Sequence, residues 1–105
     1  MAAALLIAAG FAPLAHAEGQ VDMSTLDIST LTCRQLATMT PEQVGLILVW
    51  IEGYLGGRAD DSVFVMERVK INAEEAARAC DETPARSVLD IIEKFEARQV
   101  EQESE

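Results

Sequence analysis

The stretch TPEQVGLILVWIEGYLGG, residues 40–57, decides the fold of this chain. Its first residues carry three helix-start signals, namely an N-cap, a proline at the first helical position and a capping-box glutamine. In sequence order these are Thr40, Pro41 and Gln43. The pattern predicts a helix that runs to Leu55 and stops at the glycine pair Gly56-Gly57.

The middle of this helix, residues 46–51, is apolar on every face. A helix that is apolar all round is expected to be buried all round, and the core of one small domain can hardly cover it. We therefore predict that the helix contributes to a second surface, either a dimer interface or a site for client proteins. The residues assigned to this surface are Leu46, Ile47, Val49, Trp50, Ile51 and Tyr54.

The segments before this helix are less regular. Residues 18–31 read as an irregular lead-in that makes a few core contacts through its apolar residues. A short helix is predicted from Thr32, acting as N-cap, to about Met39.

After the central helix, residues 63–71 fit either a short helix or an extended segment. Asn72 with Glu75 forms a second capping-box pattern, which predicts a helix through Cys80. Thr83-Pro84 is predicted to open the last helix, and residues 100–105 form an acidic, frayed tail. The apolar residues of the last helix fall on one inward face, namely Val88, Leu89, Ile91, Ile92 and Phe95. The sequence therefore predicts a mostly helical single domain at residues 32–99.

The N-terminus has the pattern of a cleavable signal peptide over residues 1–17. An uncharged apolar run from Ala2 to Ala12 is followed by Ala15-His16-Ala17, which suits signal peptidase. The run is too short to span a bilayer. Cleavage before Glu18 would leave 88 of the 105 residues, and the alternative is a buried N-terminal helix.

The charge of the mature chain excludes several classes of partner. All 18 acidic and 8 basic residues follow Ala17, so the net charge is −10 at neutral pH. Such a protein repels nucleic acid and anionic membranes. With His16 removed, a pH response must come from aspartate and glutamate, and the chain changes by about 19 charges between neutral pH and about pH 2. Ordinary acid denaturation of an acidic protein would show the same change.

The two cysteines, Cys33 and Cys80, are expected to pair because an exported protein folds in an oxidising compartment. Two free thiols and an intermolecular bridge are the alternatives. The loop that this bridge closes is long, so a single disulfide is expected to stabilise the fold by roughly 4 kcal/mol.

The residues indicate no enzyme. Without a mature histidine there is no Ser-His or Cys-His nucleophile and no imidazole ligand for a metal ion. The acidic pairs Asp60-Asp61 and Glu74-Glu75 fit a solvated surface better than a catalytic pair. The glycines of residues 53–57 lack the ending of a phosphate loop. We therefore predict no catalytic residues, no bound metal and no cofactor.

Several of these features together resemble the HdeA/HdeB family of periplasmic acid-stress chaperones. They are Thr32-Cys33, the segment Trp50-Ile51-Glu52-Gly53-Tyr54, Cys80, and the helix after Thr83-Pro84. The resemblance covers roughly Leu31 to Phe95. It implies an all-helical fold with one intramolecular disulfide, a homodimer at neutral pH, and a role that needs neither ATP nor a cofactor.

By this resemblance the chain is an acid-activated holdase that keeps unfolding periplasmic proteins from aggregating. Two departures support an alternative, a constitutive periplasmic binding protein such as an inhibitor or immunity protein. The chain has only Lys70 and Lys94, and its tail carries Glu101, Glu103 and Glu105, whereas well-known members are rich in lysine. The same fold also serves other periplasmic roles.

Overall fold

The computed structural model describes residues 21–103, and within them the chain is built from helices. The predicted all-α fold with one disulfide is confirmed. The predicted signal peptide, residues 1–17, lies outside the described residues. The elements in chain order are a 3-10 helix Ile28–Thr30, α1 Cys33–Leu36, α2 Pro41–Arg58, α3 Met66–Glu82 and α4 Val88–Glu103.

The N-cap predicted at Thr32 and the capping box predicted at Thr40 are both confirmed, and Thr32 forms a capping box as well. The Gln35 amide N–H donates to Thr32 Oγ1 at 3.2 Å, and the Thr32 amide N–H donates to Gln35 Oε1 at 3.0 Å. Thr40 and Gln43 repeat this pair at 3.2 and 3.0 Å. The prediction that α1 reaches Met39 is wrong, because the chain leaves α-helical geometry after Leu36.

The end of α2 differs from the prediction, since the helix continues through both glycines to Arg58. Gly56 allows a close approach instead of stopping the helix. The Asp61 amide N–H donates to the Gly56 carbonyl at 2.7 Å, and a Cβ on Gly56 would lie 2.8 Å from the Asp61 carbonyl oxygen. The chain turns away at Asp60, whose φ of 58° is left-handed.

The predicted helix start at Asn72 is also wrong. Helix α3 begins at Met66 and continues without a break, so Asn72 lies inside it and is buried. Its Nδ2 atom donates to Glu96 Oε2 on α4 at 2.7 Å. A buried polar residue that bonds to another helix can therefore have the same sequence pattern as an N-cap.

Helix α4 begins at Val88, not at Thr83-Pro84. The Thr83 amide N–H instead closes the end of α3 by donating to the Ala79 carbonyl at 2.9 Å. The N-terminal turn of α4 is held by Ser87, whose Oγ accepts from the Asp90 amide at 3.2 Å. The predicted tail is helical through Glu103, because α4 extends that far.

The core lies between the inner faces of α2, α3 and α4, with the 3-10 helix against α4. The predicted inward residues Val88, Ile91 and Ile92 of α4 are at most 2% exposed, and Phe95 is half-buried. The lead-in contributes to the core through Ile28 and Leu31, and the apolar residues before them pack against it. Burial of these side chains is the main source of stability.

The Cys33–Cys80 disulfide joins α1 to α3 across a sequence separation of 47 and a Cα–Cα distance of 5.2 Å. Two backbone hydrogen bonds support it, since the amides of Cys33 and Arg34 donate to the carbonyls of Arg86 and Pro84, both at 2.9 Å. The N-terminal part of the domain is thereby tied to the connection between α3 and α4.

Candidate functional site: an exposed apolar face and acid-sensitive helix contacts

Helix α2 presents apolar side chains to solvent on one side, which we call the α2 outer face. It is formed by Leu46, Val49, Trp50 and Tyr54, and each of them is between 39% and 63% exposed. Scattered exposed apolar residues are ordinary, but contiguous ones on a small protein are typical of interaction surfaces. These four belong to the surface predicted from the sequence.

The assignment of Ile47 and Ile51 to this surface has to be corrected. Their side chains are 3% and 0% exposed and lie in the core of the protein itself. Residues four apart share one side of a helix, and that side of α2 also carries Leu48, which packs with them. An apolar run on every face therefore does not require burial on every face: one side fills the core and the other remains exposed.

The aromatic residues of the α2 outer face contact each other. The rings of Trp50 and Tyr54 stack with their centroids 5.0 Å apart and their planes 12° from parallel. The Arg58 guanidinium lies 5.6 Å from the Tyr54 ring centroid, within the range of a cation–π contact. The two rings thus form a flat apolar platform near the C-terminal end of α2.

A second apolar patch lies on the connection between α2 and α3. Val63, Phe64 and Met66 are 66%, 49% and 53% exposed. Their sequence shows only mixed apolar residues and gives no sign of which ones face solvent. Val63 and Phe64 lie in residues 61–65, which have no regular secondary structure, and Met66 is the first residue of α3.

Sequence reasoning missed a buried carboxylate on α2. The Glu52 residue is 4% exposed, and its Oε2 atom lies 3.2 Å from Arg68 Nη1 of α3. Burial raises the pKa of this carboxyl, Arg68 opposes that shift, and the nearby charges of Glu96 and Asp61 add to it. One signal was present in the sequence: Glu52 follows Leu48 by four residues and therefore shares the inward side of α2.

Within the described residues, each pair of the three long helices is joined by at least one carboxylate–arginine ion pair. Glu52 and Arg68 join α2 to α3, with a separation of 3.2 Å. Glu75 and Arg98 join α3 to α4 at 3.3 Å. The third pair, Arg58 and Glu93, joins α2 to α4 at 2.5 Å and is the most exposed to solvent. These contacts all depend on a carboxylate that stays ionised.

The pKa values of Glu52, Glu75 and Asp90 are shifted in different directions, upward by burial and downward by hydrogen bonds from arginine. A hydrogen bond from Arg78 chiefly holds the pKa of Glu75 below its ordinary value of 4.5, and the charges of Arg78 and Arg98 add to this effect. The same kind of hydrogen bond, from Arg86, lowers the pKa of Asp90 on α4, with help from Lys94. Glu52 is shifted upward instead.

The direction of each shift determines how acid affects stability. Because the folded-state pKa of Glu75 and of Asp90 is lowered, their stabilising contribution is present above the unfolded-state values of about 4 and is lost as pH falls through the folded-state values. Glu52 has the opposite sign, because its raised pKa means that the folded protein holds the ionised form at a cost. Protonation relieves this cost but weakens the contact with Arg68.

The described residues show little that suits other chemistry. No group of three or more His, Cys, Asp or Glu side chains within residues 21–103 is placed to hold a metal ion. Over the same residues, none of the helices has both the length and the apolar character needed to cross a membrane. The described part of the chain thus offers an apolar surface and a set of acid-sensitive contacts.

Comparison with known proteins identifies the family to which the chain belongs. A search of curated proteins and a search of solved structures returned no significant match. The model of the HdeA/HdeB family matches residues 1–90, which is most of the chain and includes both cysteines and the whole of α2 and α3. The chain therefore belongs to the HdeA/HdeB family of periplasmic acid-stress chaperones.

Proposed function

We propose that this protein is an acid-activated, ATP-independent holdase, exported to the periplasm by its N-terminal signal peptide, where it keeps acid-denatured proteins from aggregating. One observation carries the proposal: every pair of the long helices is joined through a carboxylate, and α2 carries an apolar face that is already exposed. Family membership supports the same conclusion.

Acid weakens each of the interhelical ion pairs described above. Loss of the carboxylate charge removes the attraction in Glu52–Arg68, Glu75–Arg98 and Arg58–Glu93. The arginines keep their positive charges, so the helices then repel each other weakly. Exposed ion pairs contribute only about 0.2–1 kcal/mol each, and loosening of the fold therefore requires the combined loss of several.

The α2 outer face serves as the homodimer interface at neutral pH and as the client surface in acid. A two-fold dimer places the same residues on both sides of its interface, so Trp50 and Tyr54 of each copy would cover each other's exposed rings. Loosening of the helices in acid separates the copies and uncovers this face. It also brings the inner residues Ile47 and Ile51 within reach of a client.

The disulfide keeps the loosened chain ready to refold. It holds α1 and α3 together by a covalent bond that does not depend on pH. Because it limits the conformations open to the unfolded chain, it stabilises the folded state by roughly 4 kcal/mol. Reduction should therefore abolish recovery after acid treatment, although no client touches the cysteines.

A binding-protein function, as an inhibitor or immunity protein, is favoured by one observation. The second half of α4 carries Glu101 and Glu103, and Lys94 is the only lysine of that helix. Glutamates cannot supply the positive charge that would keep a chaperone–client complex soluble in acid. The two functions differ in their response to acid, since a holdase gains activity and an inhibitor loses binding.

The deciding experiment is a titration from pH 7 to 2 that follows three signals together. These are the fluorescence of an apolar dye, near-UV dichroism, and light scattering of an acid-denaturing client. We expect dye binding and protection of the client to rise over the same pH interval in which near-UV dichroism is lost. Unfolding in acid without any protection would overturn the holdase proposal and favour the inhibitor.

Matched variants locate the client surface in the same assay. Trp50→Ser on the α2 outer face should reduce protection several-fold. Val100→Ser should leave it unchanged, because Val100 lies on α4, outside that face, although it is more exposed than Trp50 (64% against 47%). Equal losses for both variants would mean that general hydrophobicity, and not the α2 outer face, binds clients.

A further inference from the structure

Helix α2 carries a row of exposed side chains that runs along its whole length. Residues four positions apart lie on successive turns of the same side of an α-helix. The row that passes through Trp50, which we call the α2 row, consists of Glu42, Leu46, Trp50, Tyr54 and Arg58, and all five are exposed. The neighbouring row, through Ile47 and Ile51, is turned towards the core. The α2 row is therefore a surface without a partner in its own chain.

The order of residues in the α2 row is symmetric about Trp50. Leu46 and Tyr54 lie four positions before and after it, and Glu42 and Arg58 lie eight positions before and after it. An apolar centre is thus flanked by an acid at one end and by a base at the other. Such a row is complementary to a second copy of itself that runs in the opposite direction.

The charged ends of the α2 row are available to a partner. Within residues 21–103, Glu42 forms no ion pair in its own chain. Arg58 contacts Glu93, but its side chain is still 55% exposed. A guanidinium group has five N–H donors, so Arg58 can contact a second carboxylate without leaving Glu93.

We propose that two copies of this chain associate through their α2 rows with the helices antiparallel, so that the two-fold axis passes beside Trp50. The inference rests on the homodimer proposed above and specifies its geometry. At the centre, Trp50 faces the partner's Trp50, and Leu46 packs against the partner's Tyr54. At both ends of the interface, Glu42 forms an ion pair with the partner's Arg58.

Charge selects the antiparallel arrangement over a parallel one. Two-fold symmetry with parallel helices places each residue beside its own copy, so both Glu42 and Arg58 would meet a like charge. Antiparallel packing turns both contacts into attractions and also opposes the two helix dipoles. This local attraction matters because each copy carries a net charge of −10, which by itself favours the monomer.

The spacing of the α2 row suits direct helix packing. Rows of residues four apart form the ridges that interdigitate when two helices cross at about 50°, the commonest packing class in globular proteins. A client protein can cover the apolar centre of the row, but it has no fixed pattern of charges that would match both ends. A second copy of the chain matches both.

The test reverses the charges of the full protein one end at a time and measures dimerisation by sedimentation at pH 7. Low ionic strength is used because salt screens exposed charges. Glu42→Arg and Arg58→Glu each create like-charge contacts at both ends, so each variant alone should dimerise about tenfold more weakly than the native protein. A mixture of the two variants regains opposite charges at both ends of a heterodimer, and its affinity should return close to the native value.

Two controls separate the interface from other effects. Glu74→Arg changes the net charge as Glu42→Arg does, but on the exposed surface of α3, and should not weaken the dimer. Arg58→Glu also loses the contact with Glu93 within the chain. Adding Glu93→Arg restores that contact with reversed signs, so the mixing experiment can be repeated with this double variant if Arg58→Glu alone fails to fold.

A spin label gives the geometry without altering the α2 row. Ala59 is exposed and lies nine positions after Trp50, so labels attached to Ala59→Cys should be roughly 25 Å apart in the antiparallel dimer, given the rise per residue and the crossing angle. Parallel helices would bring the two labels within roughly 10–15 Å. The short separation would overturn the proposal.

The outcomes distinguish this inference from the proposed function. A native dimer that ignores the charge reversals, or a mixture that associates no better than its components, would overturn the antiparallel arrangement and leave the holdase proposal standing. A native protein that is monomeric would overturn the homodimer and this arrangement with it, leaving the α2 row to a client or another partner. Protection of clients is measured in a separate assay and does not enter either result.

Discussion

Helices α2 and α4 are of similar length, 18 and 16 residues, but they distribute their apolar side chains differently. Helix α4 places its largest apolar residues on one inward face and charged residues on the other. Helix α2 is apolar on both sides, with Ile47 and Ile51 inside and Val49 and Trp50 outside. The large apolar side chains of α4 therefore mainly stabilise the core, whereas about half of those on α2 remain exposed and available for an intermolecular contact.

The acidic residues of α2 and α4 also differ in where they lie. Helix α2 holds one acidic residue in the interior, Glu52, whose pKa burial raises. Helix α4 keeps its acids at the surface, and Asp90 has a lowered pKa because Arg86 donates a hydrogen bond to it. An apolar helix with a buried acid and an amphipathic helix with paired surface acids thus pack in one small domain, and acid should affect them differently.

The largest expected effect comes from removing the disulfide, which lies outside both helices. Cys33→Ser together with Cys80→Ser should lower the free energy of unfolding by roughly 4 kcal/mol, because the long loop is no longer closed in the unfolded chain. Urea denaturation at pH 7, followed by far-UV dichroism, measures this. A loss below about 1 kcal/mol would mean that packing of α3 against α2 and α4 suffices without the bridge.

Core substitutions compare the inner faces of the two helices directly. Ile51→Ala on α2 and Ile92→Ala on α4 both remove a side chain that is 0% exposed, and each should cost about 2–5 kcal/mol. Val49→Ala on the α2 outer face is the control and should cost under about 1 kcal/mol in the monomer. If Val49→Ala costs as much as Ile51→Ala at a concentration where the protein is dimeric, the outer face is buried between copies.

Charged substitutions on the α2 outer face test its proposed role in the dimer. Val49→Asp or Trp50→Asp should shift a micromolar sample from dimer to monomer in sedimentation at pH 7, while far-UV dichroism stays unchanged. Val100→Asp on α4 is the matched control and should leave the dimer intact. A native protein that sediments as a monomer would contradict this prediction.

The smallest expected effects come from Glu75 and Glu52, which should change the pH dependence of stability in opposite directions. Glu75→Gln should lower the free energy of unfolding by about 0.5–1 kcal/mol at pH 7. The free energy of unfolding of this variant should also fall less steeply below pH 4.5, because protonation of Glu75 causes part of that fall in the native protein. Glu52→Gln should leave stability at pH 7 unchanged or raise it, because it removes an ionised group that the fold holds at a cost. Urea midpoints from pH 7 to 3 measure both, and equal effects of the two variants would show that burial of Glu52 has no energetic consequence.

The success of sequence reasoning varied with how local the signal was. The capping boxes at Thr32 and Thr40 were predictable because their partners lie three residues away in the chain. The false start at Asn72 shows the limit of this method, since its true partner, Glu96, lies on another helix. Gly56 was misread as a stop for a similar reason: its role is set by the approach of Asp61.

Helical periodicity and capping chemistry, which are local, were enough to predict a mostly helical domain and the inward face of α4. The exported context favoured pairing of the two cysteines over free thiols, and the resemblance to the HdeA/HdeB family implied that the whole fold is helical. Only the tertiary structure decided which side of α2 is buried and where Glu52 finds its charge partner. A helix that is apolar on every face has no preferred inward side of its own, so the helices that pack against it make that choice.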